Sequence, residues 1–396
     1  MRRGRPLLLA GAIALAVTLP ASGQFLESFD EPALRLDPSG VDGWAFFTGD
    51  GEATMDLVPT SDGYASIVVD ATRDRRNVWW ALIKRRVSQA IDVEQLAQPG
   101  WELRVEARVR TSHAPRRVNL HVNTQRTTDF HSHLLEFDLP VAGVWHEISM
   151  TTRDFPAVPG DTVFVQMALM DWGGDVYRVD VDYVKVDVVE AANAGPGRGE
   201  AVPYHPPVPD PALFASAVAA AESAVVDLAN PDVNLGEWSI LDGGAGQRVL
   251  TVNGTMWTVL RFDLAGRRGR RVAGQGLLEL TTESLQRDAR EMKNMGLVRV
   301  VEILAGEAVW RRETVTLDSL LQGRALAEVV NPQPIIDWPV NESVGGKTLF
   351  VISRPVLQRL VDGRTLGLAL TPLGPIDASF RFVGADAPRL LFNLEQ

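Results

Sequence analysis

Between His121 and Asp138 the chain reads HVNTQRTTDFHSHLLEFD, placing three of its six histidines, one arginine and three carboxylates close together. Elimination beside a uronate needs a base at the acidic carbon, a cation facing the carboxylate, and a proton donor to the leaving oxygen. His121 or His131, Arg126, Gln125 and the more distant Tyr177 supply those types, so one reading is a uronate-specific polysaccharide lyase acting by β-elimination. His131 and His133 would share one face of a strand and, with His121 and Asp129, carry the donor types of a zinc site, although the helical His-Glu-x-x-His pattern is absent. A hydrolase pair would draw on Asp129, Glu136 and Asp138. Glu136 and Asp138, however, alternate with Leu135, Phe137 and Leu139 and read as solvated strand positions.

The same residues also suit binding without chemistry. In VNLHVNTQR, Val118, Leu120 and Val122 fall on one face of a strand, while Asn119, His121, Asn123 and Gln125 fall on the other. Amides and imidazoles match sugar hydroxyls better than the Lys, Glu and Thr of an ordinary solvated sheet. His133, Gln166, Trp172 and Arg178 extend the candidate groove, with Asp171 and Tyr177 nearby in sequence. An aromatic beside amides and a guanidinium fits an acidic or neutral glycan. Trp79 and Trp80 are adjacent, so at most one of them lines that surface. A polar hairpin with its histidines satisfied by the backbone is the bland alternative.

These residues must be positioned by strands. WELRVEARVR and RVDVDYVKVDVV alternate apolar and charged residues, with Tyr183 or Val184 continuing the second pattern, and RRVNLHVN and DTVFVQMALM add two more candidates. The fold expected is all-β: two jelly-roll-like β-sandwich domains joined by a Pro/Gly-rich linker. Residues 24–189 form the first, 190–211 the linker and 212–396 the second. PALFASAVAAAESAVVDLAN, just after the linker, reads as a short helix whose second half would serve equally as a strand.

Residues 1–23 combine a basic start, a short apolar run and small residues, as in a secretory signal. Their removal would take Arg2, Arg3 and Arg5 and make a chain of net charge −11 more acidic still. Such acidity argues against nucleic acid as a partner, and no run is long enough for an integral membrane segment. The basic GRRGRR segment then reads as a solvated hairpin. With no cysteine, the chain has neither disulfides nor a thiol nucleophile. It also lacks a Gly-x-Ser-x-Gly elbow, a dinucleotide fingerprint and a phosphate loop, so no organic cofactor is expected. A secreted or periplasmic, polysaccharide-engaging protein or a structural cell-envelope or adhesion protein remains.

The order FLESFDEP, GWAFF, RRVSQAIDVEQLAQPGWELRVEARVRT, GVWHEISMTT and YRVDVDYVKVDVV resembles the galactose-binding-like jelly rolls of xylanase- and laminarinase-associated carbohydrate-binding modules. That resemblance implies an early strand lying beside an aspartate-rich final strand, with a structural Ca2+ between them. Glu27, Asp30, Asp180 and Asp182 would be its oxygen ligands. In the second domain, Arg261-Phe262-Asp263 and the closing Pro388-Arg389-Leu390 resemble the disaggregatase-related DNRLRE extracellular domains, with ASFRF replacing the usual serine-rich final strand. Trp257, Trp310 and Trp338 are expected as core or interdomain anchors more than as sugar platforms. Asn253 opens an Asn-Gly-Thr glycosylation sequon.

Overall fold

The computed structural model describes residues 23–30, 39–48, 52–58, 60–73, 81–170, 174–204, 206–236, 249–287 and 295–396. The signal-like segment through residue 22, Trp79, Trp80, Asp171, Trp172 and His205 lie outside the described residues. Among the described residues no helix is long and apolar enough to cross a membrane.

The chain folds into two strand-rich all-β domains. The first contains β1 (Gln24–Glu27), β2 (Ala45–Phe47), β3 (Thr54–Val58), β4 (Ala65–Asp70), β5 (Ala81–Arg86), β6 (Trp101–Thr111), β7 (Arg116–Thr124), β8 (Leu134–Leu139), β9 (His146–Thr151), β10 (Val163–Met170), β11 (Val176–Glu190) and β12 (Glu200–Val202). They form two antiparallel sheets. One has the order β3-β4-β11-β6-β9 with β1 also paired to β11, and the other β12-β8-β7-β10-β5-β2.

The two-residue period explains the packing between them. Leu103, Val105, Ala107 and Val109 on β6 and Val179 and Val181 on β11 meet Val118, Leu120, Val122, Val165 and Met167 in one buried core. A register shift between Val181 and Tyr183 inserts one residue into β11 and turns Val184, not Tyr183, into that core. β6 is entered through Gly100, whose φ of 84° suits a residue without a side chain.

β12 departs from the expected linker. Glu200–Val202 pair with Glu136–Asp138, so a stretch rich in Pro and Gly still contributes an edge strand to the first domain. Of the short helix expected after the linker only a 3-10 turn at Pro211–Leu213 forms, and the strand alternative holds for the second half. Ser216–Asp227 form one strand, β13, because its backbone is paired along its length: residues 216–219 with Arg389–Phe392 and residues 220–227 with Met256–Phe262. Tertiary pairing here overrides the helix propensity of alanine.

The second domain continues with β14 (Val249–Val252), β15 (Met256–Phe262), β16 (Gly276–Arg287), β17 (Leu297–Ile303), β18 (Val330–Trp338), β19 (Lys347–Ile352), β20 (Gly367–Leu373), β21 (Ile376–Arg381) and β22 (Arg389–Phe392). β13 carries the chain from one group of strands to the other, with a register shift between Ala220 and Glu222. Helix Arg354–Asp362 closes one side of the main core with Val356, Leu357, Leu360 and Val361. A second core forms where Val226, Val259, Val301 and Ile303 meet Trp310, Val315, Leu317 and Leu320. Trp310 is 3% exposed and is therefore a core anchor, while Trp257 and Trp338 pack partly buried against the two cores.

Candidate functional site

Strand register assembles the opening cluster of residues on the outer face of the β12-β8-β7-β10-β5-β2 sheet. One cross-strand row runs Ala45, Lys84, Gln166, His121, Leu134, and the next runs Phe47, Leu82, Ala168, Asn119, Glu136, Val202. Beyond the first row lie Arg86, Phe164 and Asn123, and beyond the second lie Arg117, Asp138 and Glu200. The face thus grades from amides, imidazole and aromatics at one end to paired charges at the other.

At the first end Gln166 donates its amide N–H to Asn123 Oδ1, fixing both side chains. His121 is 2% exposed, and burial followed by the nearby His131 pushes its imidazole down to about 3, so it is neutral at ordinary pH. The Lys84 ammonium lies 4.0 Å from the centroid of the Phe164 ring, and burial lowers its pKa. His131 stacks on Tyr204, with centroids 4.7 Å apart and planes 8° from parallel. Phe47, at the β2 edge of the second row, and Phe130 are each at least half exposed. Together these groups form a polar floor bordered by aromatic surface.

The other end is covered by the second domain. Arg359, on helix Arg354–Asp362, donates to Asp138 at 2.6 and 3.1 Å and to Glu302 at 2.8 and 2.9 Å. Thr365 Oγ donates to the same Glu302 at 2.7 Å. Arg117 donates to Ile335 O at 3.0 Å and Ser353 Oγ at 3.2 Å, and lies 3.4 Å from Glu136. Asn331 donates to Pro115 O, and Arg354 pairs with Glu200. Glu136 is pushed up by burial despite Arg117, with Asp138 adding to the rise. Glu136 and Asp138 are therefore buried interdomain groups, correcting the expectation that they are solvated. Alternation reports which face a residue occupies but not whether water or another domain lies beyond it.

The remaining expected site residues separate. Arg126 and Gln125 both bind Asp161, Arg126 through Nε at 2.9 Å and Nη2 at 2.6 Å, Gln125 through Nε2 at 2.9 Å. Their work is to tie two loops together. His133 packs edge-on against Phe155 at 4.9 Å. Tyr177 lies in the sandwich core on β11, 3% exposed, with its hydroxyl donating to Leu169 O and Arg116 over its ring. Arg178 projects from the opposite sheet and pairs with Asp180 at 3.3 Å. His121, Arg126, His131 and Tyr177 therefore do not surround one point.

β1 pairs with β11, and the carboxylates expected to hold calcium have the following neighbours. Asp180 accepts from Ser66 and from Arg110, both at 2.8 Å, and Asp182 accepts from Arg108 at 2.7 Å. Glu27 accepts from the backbone of Phe29, and Asp30 lies beside Gly63. Among the described residues no group of three or more His, Asp or Glu is arranged to hold a metal ion. Tyr204 and Arg359 escaped sequence reasoning. Tyr204 sits among prolines without periodicity, and Arg359 lies on an ordinary amphipathic helix.

No family model matches the chain, and no curated protein matches it. Among solved structures it is similar to a family 4 carbohydrate-binding module at 18% identity, covering 41% of this chain and 97% of that one, with a TM-score of 0.31. It is also similar to the CBM22-1 xylan-binding domain of Paenibacillus barcinonensis Xyn10C, at 12% identity over 43% and 99%, TM-score 0.29. The CBM22-1–CBM22-2 tandem of the same protein aligns over 95% of this chain and 98% of that one at 9% identity, TM-score 0.29. The last alignment runs along both domains, and the DNRLRE expectation for the second domain is corrected: no family model of that kind matches it. Arg261 and Arg389 have local partners instead, Glu222 and Glu279. Likenesses this distant carry no argument about ligand or reaction.

Proposed function

We propose that the chain engages a polysaccharide at the Lys84–Gln166–His121 end of the β12-β8-β7-β10-β5-β2 sheet. The observation carrying this reading is the row Lys84, Gln166, His121, flanked by Asn123 and bordered by the His131–Tyr204 stack. Planar amides and a neutral imidazole suit hydroxyls as both donors and acceptors. Aromatic faces suit the C–H faces of sugar rings, and a single ammonium tolerates either a neutral or a weakly acidic chain. Adjacent strands spaced by about 4.8 Å make such a row a regular ladder across the sheet. An extracellular or periplasmic setting accords with this reading.

Native affinity electrophoresis through xylan, mixed-linked β-glucan, alginate and pectin tests it. Retardation by at least one polymer, reduced in Tyr204→Ala and Lys84→Ala, supports the reading; unaltered migration in all of them removes it. The charge-paired end of the same face supports a second reading, a structural two-domain unit, because Arg359 and Arg117 commit that end to the neighbouring domain.

A further inference from the structure

A cavity of about 260 Å³ lies between the domains, lined among others by Glu200, Val202, Tyr204, Gln275, Ile336 and Arg354. It begins where the sheet face ends. Val202 closes the row that starts at Phe47, and Glu200 lies beside Asp138 on the same edge strand. Tyr204 belongs to both places, stacking on His131 and lining the cavity. From these relationships we infer that the interdomain cavity is a second subsite, taking one further sugar unit of the glycan held on the sheet face. This inference rests on the glycan reading of that face.

The lining matches a sugar ring and not a purely apolar ligand. Val202, Ile336 and the Tyr204 ring offer surface to C–H groups. Gln275, whose amide donates to Pro207 O, and the Glu200–Arg354 ion pair add an amide carbonyl and charged groups to the lining, with which hydroxyls exchange hydrogen bonds. The volume equals that of roughly eight to nine liquid waters, room enough for one ring but not for a folded chain. A ligand held at both places contacts both domains. Recognition therefore depends on chain length, and the second domain contributes directly to affinity.

Titration calorimetry with β-1,4-linked xylo- and gluco-oligosaccharides, from disaccharide to octasaccharide, tests the subsite on the whole chain. Affinity is expected to step up at the length that reaches the cavity. Gln275→Trp, which fills the cavity from a half-exposed position, is expected to remove that step, a loss of roughly fivefold to tenfold, while shorter oligosaccharides bind as before. Ile336→Phe fills it from the other wall and is the check should the first variant fold poorly. Equal affinity of the filled variants and the original chain for long oligosaccharides overturns the subsite while leaving the sheet-face site intact. Failure of the original chain to bind any oligosaccharide or polymer overturns both.

Discussion

Arg359 and Asp138 meet across the domain boundary through two hydrogen bonds, at 2.6 and 3.1 Å, although neither side chain is more than 7% exposed. Glu302 binds the same guanidinium from within the second domain. Removing Arg359 strands two buried carboxylates. Arg359→Met is expected to destabilise the chain by about 3–5 kcal/mol. Urea unfolding at neutral pH measures this, and a shift of only a few tenths of a kcal/mol would show the network to be dispensable.

Two buried groups give stability opposite responses to pH. His121 titrates at about 3 when folded against an ordinary 6.5, so the unfolded chain binds the extra proton and stability falls as pH drops from 6.5 toward 3. Glu136 is raised from an ordinary 4.5, so the folded chain binds the extra proton and stability falls as pH climbs above 4.5. Urea midpoints across this range should fall less on the acid side in His121→Gln, and less on the neutral side in Glu136→Gln. Identical profiles for both variants and the original chain contradict this assignment.

Asp161 gathers Arg126, Gln125 and the backbone of Val158, and the Arg126 hydrogen bonds help depress its pKa to about 2. Asp161→Ala is expected to cost about 2–3 kcal/mol, because it removes several hydrogen bonds to one charged group. Arg126→Ala should cost less, since that side chain is 44% exposed. Thermal unfolding of the two variants gives the ranking, and an equal or reversed order would be inconsistent with Asp161 as the hub.

Tyr177 is enclosed in the core and Arg126 is held by Asp161. Incubation with alginate, pectin, ulvan or glycosaminoglycans is therefore expected to release no unsaturated uronate. Ultraviolet absorbance of the double bond is the readout. Its rise alongside chain shortening would place catalysis elsewhere in the chain.

The strands of the first domain were legible wherever one face is apolar, as in Leu103 to Val109 and Val118 to Val122, since burial enforces the two-residue period. The same period places Tyr177 inward with Val179 and Val181, and Arg178 outward, so their sequence adjacency never implied a shared site. The bulge before Tyr183 was not legible, because the pattern allows either parity. Nor was the fate of Glu136 and Asp138. Carboxylates alternating with Leu and Phe look alike whether the polar side meets water or Arg359. The alanine-rich β13 was obscured for a related reason: its identity comes from strands far away in sequence.

Hydrogen exchange, followed by mass spectrometry with and without the polysaccharide that retards the chain most, tests the central claim directly. Protection is predicted in Ala81–Arg86, Arg116–Thr124 and Val163–Met170 and around His131 and Tyr204. Saturated binding with protection confined to Ala65–Asp70, Trp101–Thr111 and Val176–Glu190 would put the ligand on the opposite sheet and contradict the account.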